Sequence, residues 1–135
     1  MTFFFRLHFI FYLVSLPIYG TTFFIDAYNG NDSASGTTEE SPWRTLARVQ
    51  KTQLEAGDKV LLKSGQTFSG QFYTDQSGKV EEPITLSSYG IGPKPIIAAD
   101  GKFRAALHLD NVQHWVVQGI EITNKGVEPK ARRCG

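Results

Sequence analysis

The sequence has a single cysteine, Cys134, which stands one residue from its end, so no disulfide can form within the chain. A small secreted domain usually needs such cross-links unless its hydrophobic core continues elsewhere. The scarcity of cysteine therefore predicts a fold that is open-ended or that forms part of a longer protein.

The sequence also lacks an excess of charge of either sign, with 14 Lys and Arg residues against 13 Asp and Glu residues. Residues 21–124 hold 9 basic and 12 acidic side chains, because four of the basic residues lie in the last eleven positions. A nucleic-acid-binding domain would show a basic patch or stripe. The charge distribution therefore excludes nucleic acid as an expected partner.

The chain has one long apolar run, and it lies at the N-terminus. Arg6 is followed by thirteen mostly apolar residues that are interrupted near their end by Pro17, and the small residue Gly20 comes next. A transmembrane helix needs roughly 20 apolar residues in a row. The pattern is typical of a cleaved secretory signal over residues 1–20, with an uncleaved anchor as the alternative. It predicts a secreted protein, extracellular or periplasmic, with no membrane partner after cleavage.

Residues 21–57 are predicted to form a strand, a loop and a capping helix. The segment TFFIDAY, residues 22–28, alternates in polarity as a short strand does. Ser41 is the expected N-cap of the helix, with Pro42 at its first position and Gly57 just beyond its end. Trp43 and Leu46 lie on its apolar stripe, and we expect both in the core.

The loop before this helix, YNGNDSASGTTEESPW at residues 28–43, has the composition of a calcium-binding loop. An EF-hand loop needs glycine at its sixth position and glutamate at its twelfth. Counting from Asn29 puts Glu40 at the twelfth position, but Ala34 stands at the sixth. Asn and Asp side chains also bond the backbone of their own turns. We therefore predict a turn rather than a metal site.

Residues 58–124 consist of short apolar runs separated by Gly, Pro, Asn and Asp, which predicts an all-β fold. Comparable apolar centres recur at Leu62, Leu86 and Leu109, a nearly even spacing in the low twenties. A repeat of this length is typical of a solenoid. The alternative, an antiparallel sandwich, would show tight hairpins. The runs are DKVLLKSG, EPITLSSYG, KPIIAADG, ALHLDNV and HWVVQGIEITN.

Four segments together resemble the N-terminal part of secreted right-handed parallel β-helix proteins of the pectate-lyase-like superfamily. They are FFIDAYNGNDSASGTTEESPWRTL, LEAGDKVLLKSGQTFSGQF, EEPITLSSYGIGPKPII and ALHLDNVQHWVVQGIEITN. The resemblance implies a right-handed parallel β-helix in which residues 21–57 cap one end and residues 58–124 form the first rungs. This superfamily contains polysaccharide lyases, epimerases, glycoside hydrolases and non-catalytic adhesins, so the fold alone does not define an activity.

The outward-facing polar residues of the last strands are the candidates for binding a glycan. Alternation along these strands turns Leu107, Leu109, Ile120 and Ile122 inward and their neighbours outward. The candidates are His108, Asp110, Glu121 and Trp115. Lyase chemistry needs a base and hydrolysis needs two carboxylates, but no motif here assigns a catalytic residue. The alternative roles are a solvated surface position for the polar residues and packing for Trp115.

Residues 125–135 are polar and basic and have no apolar pattern that could close a solenoid. We expect a truncated or disordered tail, and central rungs that lie outside the chain. The chain is predicted to be the N-terminal part of a secreted carbohydrate-active protein. The full-length parent is predicted to act on a polysaccharide by lyase-like chemistry, and this part alone is predicted to be inactive. The alternative is a non-catalytic glycan-binding or adhesion module. No cofactor is expected in this chain, and calcium is a candidate cofactor of a full-length parent.

Overall fold

The computed structural model describes residues 19–126, and this part of the chain is mostly β-structure. Most of the predicted signal at residues 1–20 and of the predicted tail at residues 125–135 lies outside the described residues. No helix between residues 19 and 126 has both the length and the apolar character needed to cross a membrane. The elements are β1 Thr22–Ile25, α1 Leu46–Gln50, β2 Lys59–Lys63, β3 Thr67–Ser69, β4 Phe72–Thr74, β5 Ile84–Tyr89, β6 Ile96–Ala98, β7 Leu107–Leu109, β8 Trp115–Val117 and β9 Glu121–Thr123.

The strands form three sheets in which neighbouring strands are parallel. The strand orders are β1-β2-β5-β8, β3-β6-β9 and β4-β7. The chain therefore visits the sheets in a recurring order, β2, β3 and β4 first, then β5, β6 and β7, then β8 and β9. This recurrence is compatible with a β-helix. It does not fit the antiparallel hairpins of a sandwich.

The spacing between stacked residues differs from the repeat that the sequence predicts. Val60 is paired with Leu86, and Leu86 is paired with Val117, so the two steps along the chain are unequal and both exceed the predicted one. Leu109 belongs to β7, where its partner is Thr74, so it does not stack on Leu86. The predicted even repeat was wrong because the loops between the strands have unequal lengths, which a count between apolar residues does not detect.

Two strands escaped the sequence analysis, and one predicted strand is divided. β3 and β4 are three residues each and are separated by Gly70 and Gln71, and the φ of Gly70 is 116°. The run HWVVQGIEITN forms β8 and β9, with Gly119 between them at φ 68°. Glycine adopts positive φ without steric cost, so each of these positions turns the chain from one sheet to the next.

The interior consists of apolar residues stacked in register, and within residues 19–126 it is covered at one end only. Val60 and Leu86 are fully buried, whereas Val117 in the same column is 36% exposed. Ile97 is fully buried, whereas its partner Ile122 is 44% exposed. Ile122 pairs with the buried Ile97, as its predicted inward orientation requires, but it is not itself buried, because no strand within residues 19–126 stacks on its outer side.

The helix begins later and ends earlier than predicted. Thr45, not Ser41, is its N-cap, and the Thr45 side chain accepts a hydrogen bond from the Arg48 amide. The helix begins late because the backbone of Trp43 pairs with the end of β1. The Trp43 amide donates to the Phe24 carbonyl, and the Trp43 carbonyl accepts a hydrogen bond from the Asp26 amide. Trp43 and Leu46 are each 2% exposed, so their predicted place in the core is confirmed.

The loop that resembles a calcium site uses its side-chain oxygens to bind the backbone. Asp32 Oδ1 accepts hydrogen bonds from the amides of Arg44 and Thr45 at 2.8 and 3.0 Å, and its Oδ2 accepts one from the Thr45 hydroxyl at 2.6 Å. Asn31 Oδ1 accepts the Ser33 amide at 2.9 Å. The Asn31 bond is that of a local turn, whereas Asp32 joins the loop to the start of α1, 12 and 13 residues further along the chain. Burial opposes ionisation of Asp32, but these donors outweigh it and lower the pKa of its carboxyl.

A buried carboxylate, Asp26, fixes the point where the chain leaves β1. Its side chain is bonded at 2.9 Å by the Lys63 ammonium and at 2.9 Å by the Gln66 amide, and two backbone amides also donate to it. Burial would raise the pKa of Asp26, but these donors, Lys63 first, hold it far below the ordinary value of 3.8. Beside this cluster, burial and the charge of Asp26 raise the pKa of Tyr89 to about 12.

The depressed pKa of Asp26 predicts a loss of stability in acid. Its ionised form contributes fully above the unfolded pKa of about 3.9, and the contribution disappears as the pH falls toward the folded value. We expect Asp26→Asn to lower the free energy of unfolding at neutral pH by roughly 1.5–3 kcal/mol, the range for hydrogen bonds to charged groups. The difference between variant and parent should shrink as the pH falls below about 4 in denaturant unfolding curves.

The matched control is Asp100→Asn, since Asp100 is an exposed aspartate and asparagine tolerates its left-handed backbone. This variant should unfold like the parent chain at both pH values. An Asp26→Asn penalty that is equal at neutral and acid pH would contradict the assigned role of the carboxylate.

Candidate functional site

Two of the four predicted site residues lie together on the outer face of the β4–β7 sheet. In β4, Phe72 and Thr74 are buried and the residue between them, Tyr73, turns outward. Tyr73 is paired in register with His108 of β7. Asp110 follows β7 and completes a cluster that we call the β4–β7 patch, consisting of Tyr73, His108 and Asp110.

Tyr73 contacts both of the other side chains of the patch. The rings of Tyr73 and His108 meet edge to face, with their centroids 5.3 Å apart. The Tyr73 hydroxyl donates a hydrogen bond to Asp110 Oδ2 at 3.3 Å. Desolvation and the negative charges of Asp110 and Asp75 raise the pKa of Tyr73 above its ordinary value. Tyr73 therefore remains a neutral hydrogen-bond donor over the physiological pH range.

The patch is suited to hydrogen bonding with a hydroxyl-rich ligand. It combines a phenol, an imidazole and a carboxylate, and His108 and Asp110 are both exposed. An imidazole donates and accepts, and a carboxylate accepts at two oxygens. Tyr73 contacts Asp110 and His108, but these contacts do not form the hydrogen-bonded chain of a nucleophile, a base and an orienting group that nucleophilic catalysis requires. The arrangement can hold a ligand, and its geometry assigns no bond-breaking role.

Glu121 lies on a different sheet from the patch. It begins β9, is paired with Ile96 of β6 and is exposed. Asp110 follows β7 of the β4–β7 sheet. The structure therefore places the two predicted carboxylates on separate sheets, and neither forms an ion pair within residues 19–126.

Trp115 has the position of a packing residue. Its ring meets Phe72 edge to face with centroids 6.0 Å apart, and its Nε1 donates to the Gln76 carbonyl at 2.7 Å. The side chain is half-buried against the core. Its polar atom is satisfied by the protein, as is usual for a packed tryptophan.

Sequence reasoning missed Tyr73, which joins the two candidates near β7. The alternation of FYT between buried and outward positions was the available signal, but a run of three residues between Gly70 and polar residues is too short to predict a strand reliably. Among residues 19–126, no three His, Cys, Asp or Glu side chains are grouped so that they could hold a metal ion.

Comparison with known proteins relates the chain to enzymes that act on glycans, although no family model matches it. It is 33% identical over 132 residues to a lacto-N-biosidase of Bifidobacterium longum subsp. longum. That alignment covers 78% of this chain and 8% of the relative. The chain thus spans less than a tenth of the length of this relative.

Solved structures agree with this relationship. The crystal structure of a GH136 lacto-N-biosidase from Eubacterium ramulus matches with a TM-score of 0.73 and 27% identity, over 78% of this chain and 20% of that chain. A rhamnogalacturonan lyase matches with a TM-score of 0.60 and 22% identity, over 76% of this chain and 28% of that chain, which shows similarity of fold alone. The chain is therefore homologous to carbohydrate-active enzymes over part of their length.

The contacts of the patch predict how Tyr73 titrates. Asp110→Asn removes the nearest negative charge, so the pKa of Tyr73 should fall toward its ordinary value of about 10, and Asp75→Asn should lower it less. Phenolate absorbance followed during an alkaline titration measures this, and Tyr73→Phe identifies the contribution of Tyr73 among the five tyrosines. An Asp110→Asn titration that superimposes on that of the parent chain would show that the Tyr73–Asp110 contact is absent in solution.

Proposed function

We propose that residues 21–124 form the N-terminal cap and first rungs of a right-handed parallel β-helix within a larger, secreted carbohydrate-active protein. The recurring order of the three parallel sheets supports the β-helix. The relationship to two lacto-N-biosidases supports a glycan as the substrate of the parent. The apolar run of residues 1–20 supports secretion.

The observation that carries the proposal is the mismatch between the two coverages. The similarity extends over 78% of this chain but over 8% and 20% of the relatives, so the shared region is one part of a longer glycan-active molecule. The partly exposed interior residues Val117 and Ile122 fit this view. Further rungs stacked on β8 and β9 would remove these two side chains from water, as happens along a solenoid.

Glycosidic-bond hydrolysis is the better-supported chemistry for the parent. The sequence predicts lyase-like chemistry, but the similarity to the rhamnogalacturonan lyase, at 22% identity, supports only the fold. The lacto-N-biosidase relationships have the higher identities, 33% and 27%. Hydrolysis usually employs a pair of carboxylates that flank the scissile bond. Asp110 and Glu121 stand on different sheets, so we propose that the catalytic pair belongs to other rungs and that this chain alone has no turnover.

A non-catalytic glycan-binding module is the second candidate, and the composition of the β4–β7 patch favours it. The patch offers hydrogen-bonding groups without an assembled catalytic set. In this case the parent would bind the same glycans but would not cleave them.

The test begins with the coding DNA, which should be read beyond codon 135 in all frames. We expect further rungs of short strands, and the complete product should cleave or bind a lacto-N-biose oligosaccharide or rhamnogalacturonan, the glycans named for the relatives. Hydrolysis would release reducing ends without unsaturated uronate absorbance, whereas a lyase would produce both. Binding without cleavage would select the second candidate. A stop after codon 135, together with a 135-residue product that binds neither glycan, would overturn the proposal.

A further inference from the structure

A groove runs between α1 and the edge strand β3, away from the β4–β7 patch residues. It consists of two adjoining cavities of about 290 Å³ each, which share Leu46 and Ser69 in their linings. Each volume is at the small end of the range for ligand sites, roughly 300–1,000 Å³. We call it the edge groove, and its defining residues are Tyr28, Arg44, Leu46, Gln50, Ser69 and Phe103.

The groove exists because the sheet β3-β6-β9 has no strand that corresponds to β1 of the sheet β1-β2-β5-β8. The sheet β1-β2-β5-β8 starts at β1, whereas the sheet β3-β6-β9 starts at β3. After β1 the chain turns at Asp26 into the loop instead of adding a strand beside β3. The position next to β3 is therefore bordered by the loop and by α1.

The outer edge of β3 presents backbone groups to this groove. The Gln66 carbonyl accepts from Ile96, and the Gly70 amide donates to Ala98, so the even-numbered residues face β6. In a parallel ladder alternate residues bond to opposite sides. The amides and carbonyls of Thr67 and Ser69 consequently point away from β6, toward the side on which no strand within residues 19–126 pairs with β3.

The side chains of the groove have the chemistry that recognises sugar rings. Tyr28 stands at one end and is 64% exposed, and Phe103 stands at the other and is 43% exposed. An aromatic face packs against the apolar face of a pyranose ring, and Tyr adds a hydroxyl at the wet end. Between the two rings, the hydroxyls of Thr67 and Ser69 are available for hydrogen bonds to sugar hydroxyls.

The charge of the groove indicates which sugars it takes. Arg44 is exposed, and one of its nitrogens, Nη2, donates to the Tyr28 carbonyl, which holds the guanidinium at the groove. No Asp or Glu appears in the lining of either cavity. A guanidinium fork binds a carboxylate in a bidentate manner. The lining therefore favours a ligand that carries a carboxylate.

We propose that the edge groove is a binding site for an acidic oligosaccharide, in which sugar rings stack on Tyr28 and Phe103 and a uronate carboxylate binds Arg44. This inference rests on the proposed function, because it assigns a glycan-holding role to the N-terminal cap of a glycan-active protein. An extended peptide is the competing occupant of an edge strand. The glycan is favoured because β3 is three residues long and offers few backbone bonds.

The experiment measures binding of trigalacturonic acid to the full 135-residue chain by isothermal titration, with a neutral galactose trisaccharide alongside. We expect Tyr28→Ala and Phe103→Ala each to weaken binding of the acidic trisaccharide roughly three- to tenfold, the range for stacking contacts of this kind. Arg44→Gln should abolish the preference for the acidic over the neutral sugar. Circular dichroism of each variant checks that the fold is retained.

Two further variants locate the site. Ile91→Ala is the control, because it alters a fully exposed apolar residue that lines neither cavity, and it should bind the trisaccharide like the parent chain. Tyr73→Ala alters the β4–β7 patch and reports whether the trisaccharide is held there instead. Loss of binding in Tyr73→Ala alone would overturn the edge groove while leaving the proposed function intact. Unchanged binding in both Tyr28→Ala and Phe103→Ala would also overturn the edge groove. The proposal would likewise be overturned if an extended peptide, but not the trisaccharide, protected the amides of Thr67 and Ser69 from hydrogen exchange.

Discussion

The parallel backbone ladder is the constraint on which the rest of this structure depends. β2 and β5 are each bonded to strands on both sides, and this pairing places Val60, Leu86 and Val117 in one column. A parallel ladder fixes register residue by residue, so the inward side chains of successive turns must stack. Burial of these columns supplies the apolar core, at roughly 25 cal/mol for each Å² removed from water.

Asp26 determines where this stacking stops on one side. By holding Lys63, Gln66 and two backbone amides, it turns the chain out of the ladder after β1. The same turn creates the loop that delivers Trp43 and Thr45, and it leaves the outer edge of β3 without a strand beside it. The buried ionic cluster, the cap and the edge groove are thus consequences of one local event.

The two surfaces that could hold a glycan arise from different features of the fold. The β4–β7 patch is formed by outward residues that parallel pairing brings side by side, so its geometry depends on register. The edge groove is formed by a loop and a helix against an unpaired edge, so its geometry depends on the cap.

The sequence predicted the features that depend on local alternation and missed those that depend on distance along the chain. The alternation of apolar and polar residues located β2, β5, β6 and β7, and it turned His108 and Asp110 outward. The sequence predicts that Leu109 stacks on Leu86, whereas the partner is Val117, because loops of unequal length leave no even repeat in the sequence. The Asp26–Lys63 pair, distant in the chain, and the approach of Tyr73 to Asp110 were also beyond local patterns.

Cross-linking by paired cysteines tests the stacking most directly, in a Cys134→Ser background. The structure pairs Thr85 with Val116, whereas the repeat counted from the sequence would place Thr85 beside His108. Adjacent parallel positions meet the Cα separation of about 4.4–6.8 Å that a disulfide requires. The account predicts that Thr85→Cys with Val116→Cys forms a disulfide under mild oxidation and that Thr85→Cys with His108→Cys does not. Preferential linkage of the second pair, or equal linkage of both, would contradict the stacked register.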